Sequence, residues 1–168
     1  MVEKQNKTQS KKEKKEVILE PKEVVRRVTE SLKQYDDATF LETFGVFMGK
    51  AQIVELALKS VLVNSHKYEE EKIEKHTLGR TIKELEKCDV RPDFIILLSG
   101  LLEHRNLMAH EFLAVNAMGK KLAGDAFEIL NTKQLKYALF KVEEVIQVYD
   151  FLIENDYLYK GSPEPEEN

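Results

Sequence analysis

The sequence predicts an all-α protein, an up-and-down bundle of four to five helices. Apolar residues recur at intervals of three and four along several long segments, while the alternation of half-buried strands is almost absent. The last such segment is the clearest, with Leu135, Leu139, Val142, Ile146, Tyr149 and Ile153 forming a seam suited to helix-on-helix packing. The composition agrees: 42% hydrophobic and 33% charged residues, four prolines and no tryptophan in 168 residues, enough for one sizeable core.

Taken in order, residues 1–16 lack apolar periodicity and read as a disordered basic tail. The helical domain is expected over 17–160. Pro21 suits the first turn of a helix running to about Gln34, with Val24, Val25, Val28 and Leu32 as its apolar face. A long second helix spans about Ala38 to Asn64, its apolar set including Phe40, Phe44, Phe47, Val54, Leu58, Val61 and Leu62. The polar stretch from His66 to His76 reads as a solvated linker, followed by a short helix from Thr77 to Lys87. A fourth helix starts near Pro92 and continues to about Leu113. A loop holding Gly119 and Gly124 leads to the fifth helix, about Asn131 to Asn155. Residues 161–168 read as an acidic tail opening on the helix-stopping Gly161.

The net charge is −4, with +3 on residues 1–16 and therefore −7 on the remainder. A mildly acidic body argues against a broad nucleic-acid-binding face but leaves room for a few basic groups gathered in a cleft. The basic tail is a solubilising segment or, alternatively, an arm that steers RNA. The lone Cys88 excludes a disulfide framework and a cysteine zinc cluster, and it fits a reducing cytoplasm. The lysine-rich start lacks the apolar stretch of a secretory signal. The longest apolar run, Phe94 to Leu102, is too short to span a bilayer and is interrupted by Ser99 and Gly100, so no membrane role is expected.

Two weaker patterns carry little. The segment Gly45–Lys50 superficially resembles a phosphate loop, but it is one residue short, lacks the Ser or Thr after the lysine and follows no strand. His66 and His76, around Glu69, Glu70 and Glu71, show no recognised zinc spacing. No metal or cofactor is expected.

The fourth helix is where the chemistry lies. At about 100° per residue, Phe94, Leu98, Leu101, Met108 and Phe112 share one direction, and Arg105 lies among them. Ser99, Glu103, Asn106 and His110 form a polar stripe bracketed by Ile96 and Leu107 on one side and by Ile95, Leu102 and Ala109 on the other. Apolar flanks on both sides of a polar strip suggest two packed surfaces, the chain's own core and a second subunit. The competing reading is a solvated stripe with its flanks half covered by loops. A buried arginine is costly unless paired, and Glu55 on the second helix is one candidate partner, a solvent-edge carboxylate being the other reading of that residue. Arg105 and His110 lie roughly 140° apart on a regular helix, whereas Asn106 and His110, four apart, converge. A shared groove at a two-fold axis would bring all three together.

Arg105-Asn106-Leu107-Met108-Ala109-His110 resembles the Arg-polar-x3-His motif of the HEPN superfamily, which has Asn, Asp or His after the arginine. The plan of an all-α domain with the motif on a late helix is similar too, over roughly residues 20–155. The resemblance implies metal-independent RNA cleavage by a homodimer whose motifs meet at the interface, as in small toxins and defence effectors. It also implies an antitoxin or nucleotidyltransferase as a possible partner. His110 would then move protons around the ribose 2′-hydroxyl and the leaving oxygen, Arg105 would hold the scissile phosphate, and Asn106 would orient either. One departure stands out: where some members carry a modifiable tyrosine two residues after the histidine, this chain has Phe112. Some branches have lost activity, so the alternative is a noncatalytic HEPN module bound to a nucleotidyltransferase or another defence protein.

Overall fold

A computed structural model describes residues 19–161, so the expected tails at 1–16 and, beyond Gly161, 162–168 lie outside the described residues. The fold is an all-α bundle. Helix α1 spans Pro21–Leu32, α2 Phe40–His66, α3 Glu70–Glu74, α4 Leu78–Lys87, α5 Pro92–Leu107, α6 Leu113–Ala123 and α7 Asp125–Glu154. A 3₁₀ turn, Lys33–Tyr35, follows α1, and a π-turn, Met108–Phe112, joins α5 to α6. Among the described residues no strand forms, and one isolated bridge pairs Val90 with Tyr159. No described helix is long and apolar enough to cross a membrane.

Local chemistry sets the helix ends. Pro21 and Pro92 open α1 and α5, where a missing N–H costs nothing. Thr39 caps α2 in a reciprocal box: its Oγ1 accepts from the Glu42 N–H at 3.3 Å, and the Glu42 carboxylate accepts from the Thr39 N–H at 2.8 Å. Lys67, in the left-handed region at φ 57°, ends α2. Thr77 caps α4 by accepting from the Arg80 N–H at 3.4 Å.

The core lies between α2, α5 and α7. Phe47, Leu58 and Leu62 of α2 are buried together with Phe94, Leu98 and Leu101 of α5 and Leu135, Val142 and Val145 of α7. Helix α1 packs on α7, α4 fits between α2 and α5, and α3 lies against α2. Residues 157–160 clip onto the α4–α5 loop, where the Arg91 N–H donates to the Leu158 carbonyl at 3.0 Å and the Lys160 N–H to the Asp89 carbonyl at 2.8 Å.

Four expectations need correction. The segment from His66 to His76 is not a solvated linker: it holds α3, buries Ile73 and His76, and sets His66 Nε2 3.1 Å from the Tyr159 hydroxyl. The region of Gly119 is helix, with Gly119 buried inside α6, because tertiary packing outweighs the ~1 kcal/mol cost of a glycine in a helix. Gly124, at φ 64°, is the actual break, and α7 begins six residues before Asn131. On α1 and α7 the seam also differs at single positions, since Val25 and Ile153 are exposed while Leu152 is buried.

The buried carboxylate of the bundle is paired. Glu143 of α7, 3% exposed, meets Lys50 of α2 at 2.7 Å and accepts from the Ser31 hydroxyl of α1 at 2.5 Å. Lys50, in the glycine-flanked segment, thus serves as the counter-ion to a buried carboxylate. Glu55 pairs with Lys59 at 2.8 Å, and so is not the partner of Arg105.

Candidate active site

Helix α5 places the motif by burying its apolar side. Phe94, Leu98, Leu101, Met108 and Phe112, the five side chains expected to share a direction, are all buried. This holds the opposite side of the helix outward. Ser99, Glu103, Asn106 and His110 are accordingly exposed, as are Ile96 and Leu107 on one flank, while Ile95 and Leu102 on the other are half-buried. On the second flank α4 lies against Leu102, while Ala109 is exposed. A Cβ built on Gly79 would lie 3.2 Å from Leu102 Cδ2, so the leucine end packs tightly over the glycine.

Arg105 occupies a core-facing position on the helix but is only half-buried. Its guanidinium Nη1 donates to Asn106 Oδ1 at 3.4 Å, a long bond to a neutral acceptor. Among the described residues no carboxylate pairs with it, whereas Arg26, Arg27 and Arg91 each hold one. A half-buried cation without a counter-ion retains its full attraction for an anionic ligand.

His110 lies in the π-turn and is exposed. A π-turn closes i→i+5 hydrogen bonds in place of i→i+4, so it rotates less per residue than an α-helix. The interval from Arg105 to His110 enters this wide turn, and its offset falls below the roughly 140° of a regular helix. No periodicity in the sequence signals the turn. Arg105 and Asn106 are in contact, and His110 makes no hydrogen bond to either among the described residues.

Phe112 anchors the turn from below. Its ring stacks on Phe40 at 5.6 Å and on Phe44 at 6.4 Å, both near the start of α2. A buried ring in this slot has no hydroxyl to present to a modifying partner.

His104, beside the motif, turns the other way. It meets Tyr137 of α7 edge to face at 5.4 Å, and Lys141 Nζ stands 5.7 Å from the same ring. Burial pushes the His104 imidazole below the ordinary histidine range; Glu103 opposes this and Lys141 adds to it. The contact of His104 with α7 has no signal in the sequence of α5 alone.

No group of three or more His, Cys, Asp or Glu residues stands close enough to hold a metal among the described residues. Compared with family models, with curated proteins and with solved structures, the chain matches none.

Proposed function

We propose that this chain is an endoribonuclease of HEPN type that cleaves RNA without a metal, as a homodimer. The observation that carries the reading is Arg105, half-buried beside Asn106 and without a carboxylate, one turn from an exposed histidine. The arginine would bind the scissile phosphate and stabilise charge on its free oxygens. His110 would take the 2′-hydroxyl proton as the 2′-oxygen attacks phosphorus, or protonate the 5′-oxygen as the P–O5′ bond breaks, leaving a 2′,3′-cyclic phosphate and a 5′-hydroxyl. Such a mechanism acts on RNA alone, since DNA lacks the attacking group.

A second copy completes the picture. The π-turn runs directly into α6, and α6 with the start of α7 exposes Leu113, Val115, Met118, Leu122, Ile129 and Leu130, with Met118 65% and Leu122 86% exposed. Pairing these surfaces across a two-fold axis would bury a total surface on the order of 1,200–2,000 Å², that of a standard interface. Two π-turns would then lie at one junction. A reducing cytoplasmic setting suits the single unpaired thiol of Cys88.

One observation favours a second reading. In the single chain His110 has no hydrogen-bonded partner to orient its ring, among the described residues, and catalytic histidines usually have one. A noncatalytic module, with its apolar arm seated on an antitoxin, a nucleotidyltransferase or another defence protein, accounts for that equally well. The deciding experiment compares wild type with His110→Ala on varied RNA substrates in the presence of chelator. The ribonuclease reading expects cleavage to persist in chelator and to fall at least ~100-fold in the variant, the lower end of what a positioned acid or base supplies. Equal activity in both proteins, or none in either, favours the module.

A further inference from the structure

Helix α7 exposes an aromatic ring among lysines. Tyr137 is 53% exposed, with His104 edge-on at 5.4 Å and Lys141 Nζ at 5.7 Å from its centroid. Lys133 and Lys136 stand on the same side of the helix, one turn before and just beside the tyrosine, both exposed. Neither has a carboxylate partner among the described residues, while Lys141 pairs with Glu144 at 2.7 Å. The cations are concentrated here: from Val142 to Glu154 the helix carries four acids and no lysine or arginine. In a chain whose residues beyond the first 16 sum to −7, this strip is a local reversal of sign beside a half-exposed aromatic ring, with Lys141 Nζ over it.

Those two features together have one economical ligand. A single nucleic-acid strand offers flat bases that stack on an aromatic ring irrespective of sequence, and phosphates that release counter-ions to lysines. An acidic protein surface would use the lysines but has no need of the ring. We propose that the strip of Lys133, Lys136, Tyr137 and Lys141 binds single-stranded RNA, with one base stacked on Tyr137. The assignment of RNA rests on the reading of the chain as a ribonuclease. The strip lies on α7 and meets α5 through His104. On a regular helix that residue projects about 100° from Arg105 and about 160° from Asn106, so the strip is a substrate-holding surface beside the reacting atoms and not one of them. The neutral imidazole favoured at His104 braces the tyrosine ring without adding charge of its own.

The test measures binding apart from cleavage. Fluorescence anisotropy with labelled 2′-O-methyl oligoadenosine, which has no free 2′-hydroxyl to attack, reads affinity directly. Tyr137→Ala should weaken binding at least about fivefold, the lower end of one stacked base, while Tyr137→Phe keeps the ring and should bind like wild type. Lys133→Gln and Lys136→Gln should each flatten the log–log salt dependence by about 0.7 for every phosphate left without its lysine. Circular dichroism confirms that each variant is folded. Undiminished binding by Tyr137→Ala, no binding by wild type, or displacement by polyglutamate as readily as by oligoadenosine overturns the proposal. The two readings fail separately. Tyr137-dependent binding without any cleavage keeps the strip and removes the ribonuclease. His110-dependent cleavage with Tyr137 variants binding normally does the reverse.

Discussion

Phe112 lies flat on Phe40, ring centroids 5.6 Å apart and planes within 18°, and this stack ties the π-turn to the start of α2. The turn carries His110, so the stack anchors the backbone from which the histidine projects. Removing the ring by Phe112→Ala should destabilise the protein by about 3–5 kcal/mol, the usual cost of an emptied aromatic site. Phe112→Tyr should cost about 1–3 kcal/mol, because its hydroxyl would enter a buried stack without an evident acceptor. Chemical denaturation of both variants measures this, and a Tyr variant as stable as wild type would show the slot to be more open than the packing indicates.

The Lys50–Glu143 pair should behave as a buried unit. Burial pushes the Glu143 carboxyl up, but hydrogen bonds from Lys50 and Ser31 and the Lys50 charge outweigh it and leave the group below the ordinary glutamate range. Lys50→Met strands the carboxylate and should cost roughly 3–5 kcal/mol, while Lys50→Met with Glu143→Leu should recover much of it. Because the folded-state value is depressed, the stability it contributes is present above the unfolded glutamate range and is lost as pH falls through the folded value. A double variant no more stable than Lys50→Met alone contradicts the pairing.

His76 supplies a second, milder pH effect. It is 7% exposed, its Nδ1 is without a partner among the described residues, and burial lowers its affinity for a proton, with Arg80 adding to the effect. In the unfolded chain the ring protonates near the ordinary value of 6.5, while in the folded chain it resists. The unfolded state therefore binds more protons below that value, and the melting temperature should decline as pH drops from about 7 toward 5. His76→Leu should flatten that part of the profile. A wild-type profile that rises on acidification over this range contradicts the assignment.

Assembly offers the most direct check on the arm. Light scattering at micromolar concentration should give twice the monomer mass for wild type. Met118→Asp with Leu122→Asp should give the monomer mass without loss of helix content, since both side chains are more than half exposed in the single chain. If wild type is monomeric at every concentration, the shared-junction arrangement fails, and a heterologous partner for α6 becomes the better account.

What the sequence determined by itself is the helical character and the inward side of each helix. Intervals of three and four are a property of one segment, so Leu135, Leu139 and Val142, or Phe94, Leu98 and Leu101, declare their burial without reference to any neighbour. The Arg105–Asn106–His110 spacing was legible for the same reason, as was the outward position of its polar stripe. Tertiary structure decided everything that depends on a second segment. Gly119 looks like a break until packing supplies more than the glycine costs. Glu55 is a plausible partner for Arg105 until the i,i+4 lysine at 59 proves nearer. His104 and Tyr137 are 33 positions apart and meet only because α5 and α7 pack side by side. The π-turn is the sharpest case. A change from i→i+4 to i→i+5 hydrogen bonds leaves the apolar spacing intact while changing the angle between Arg105 and His110.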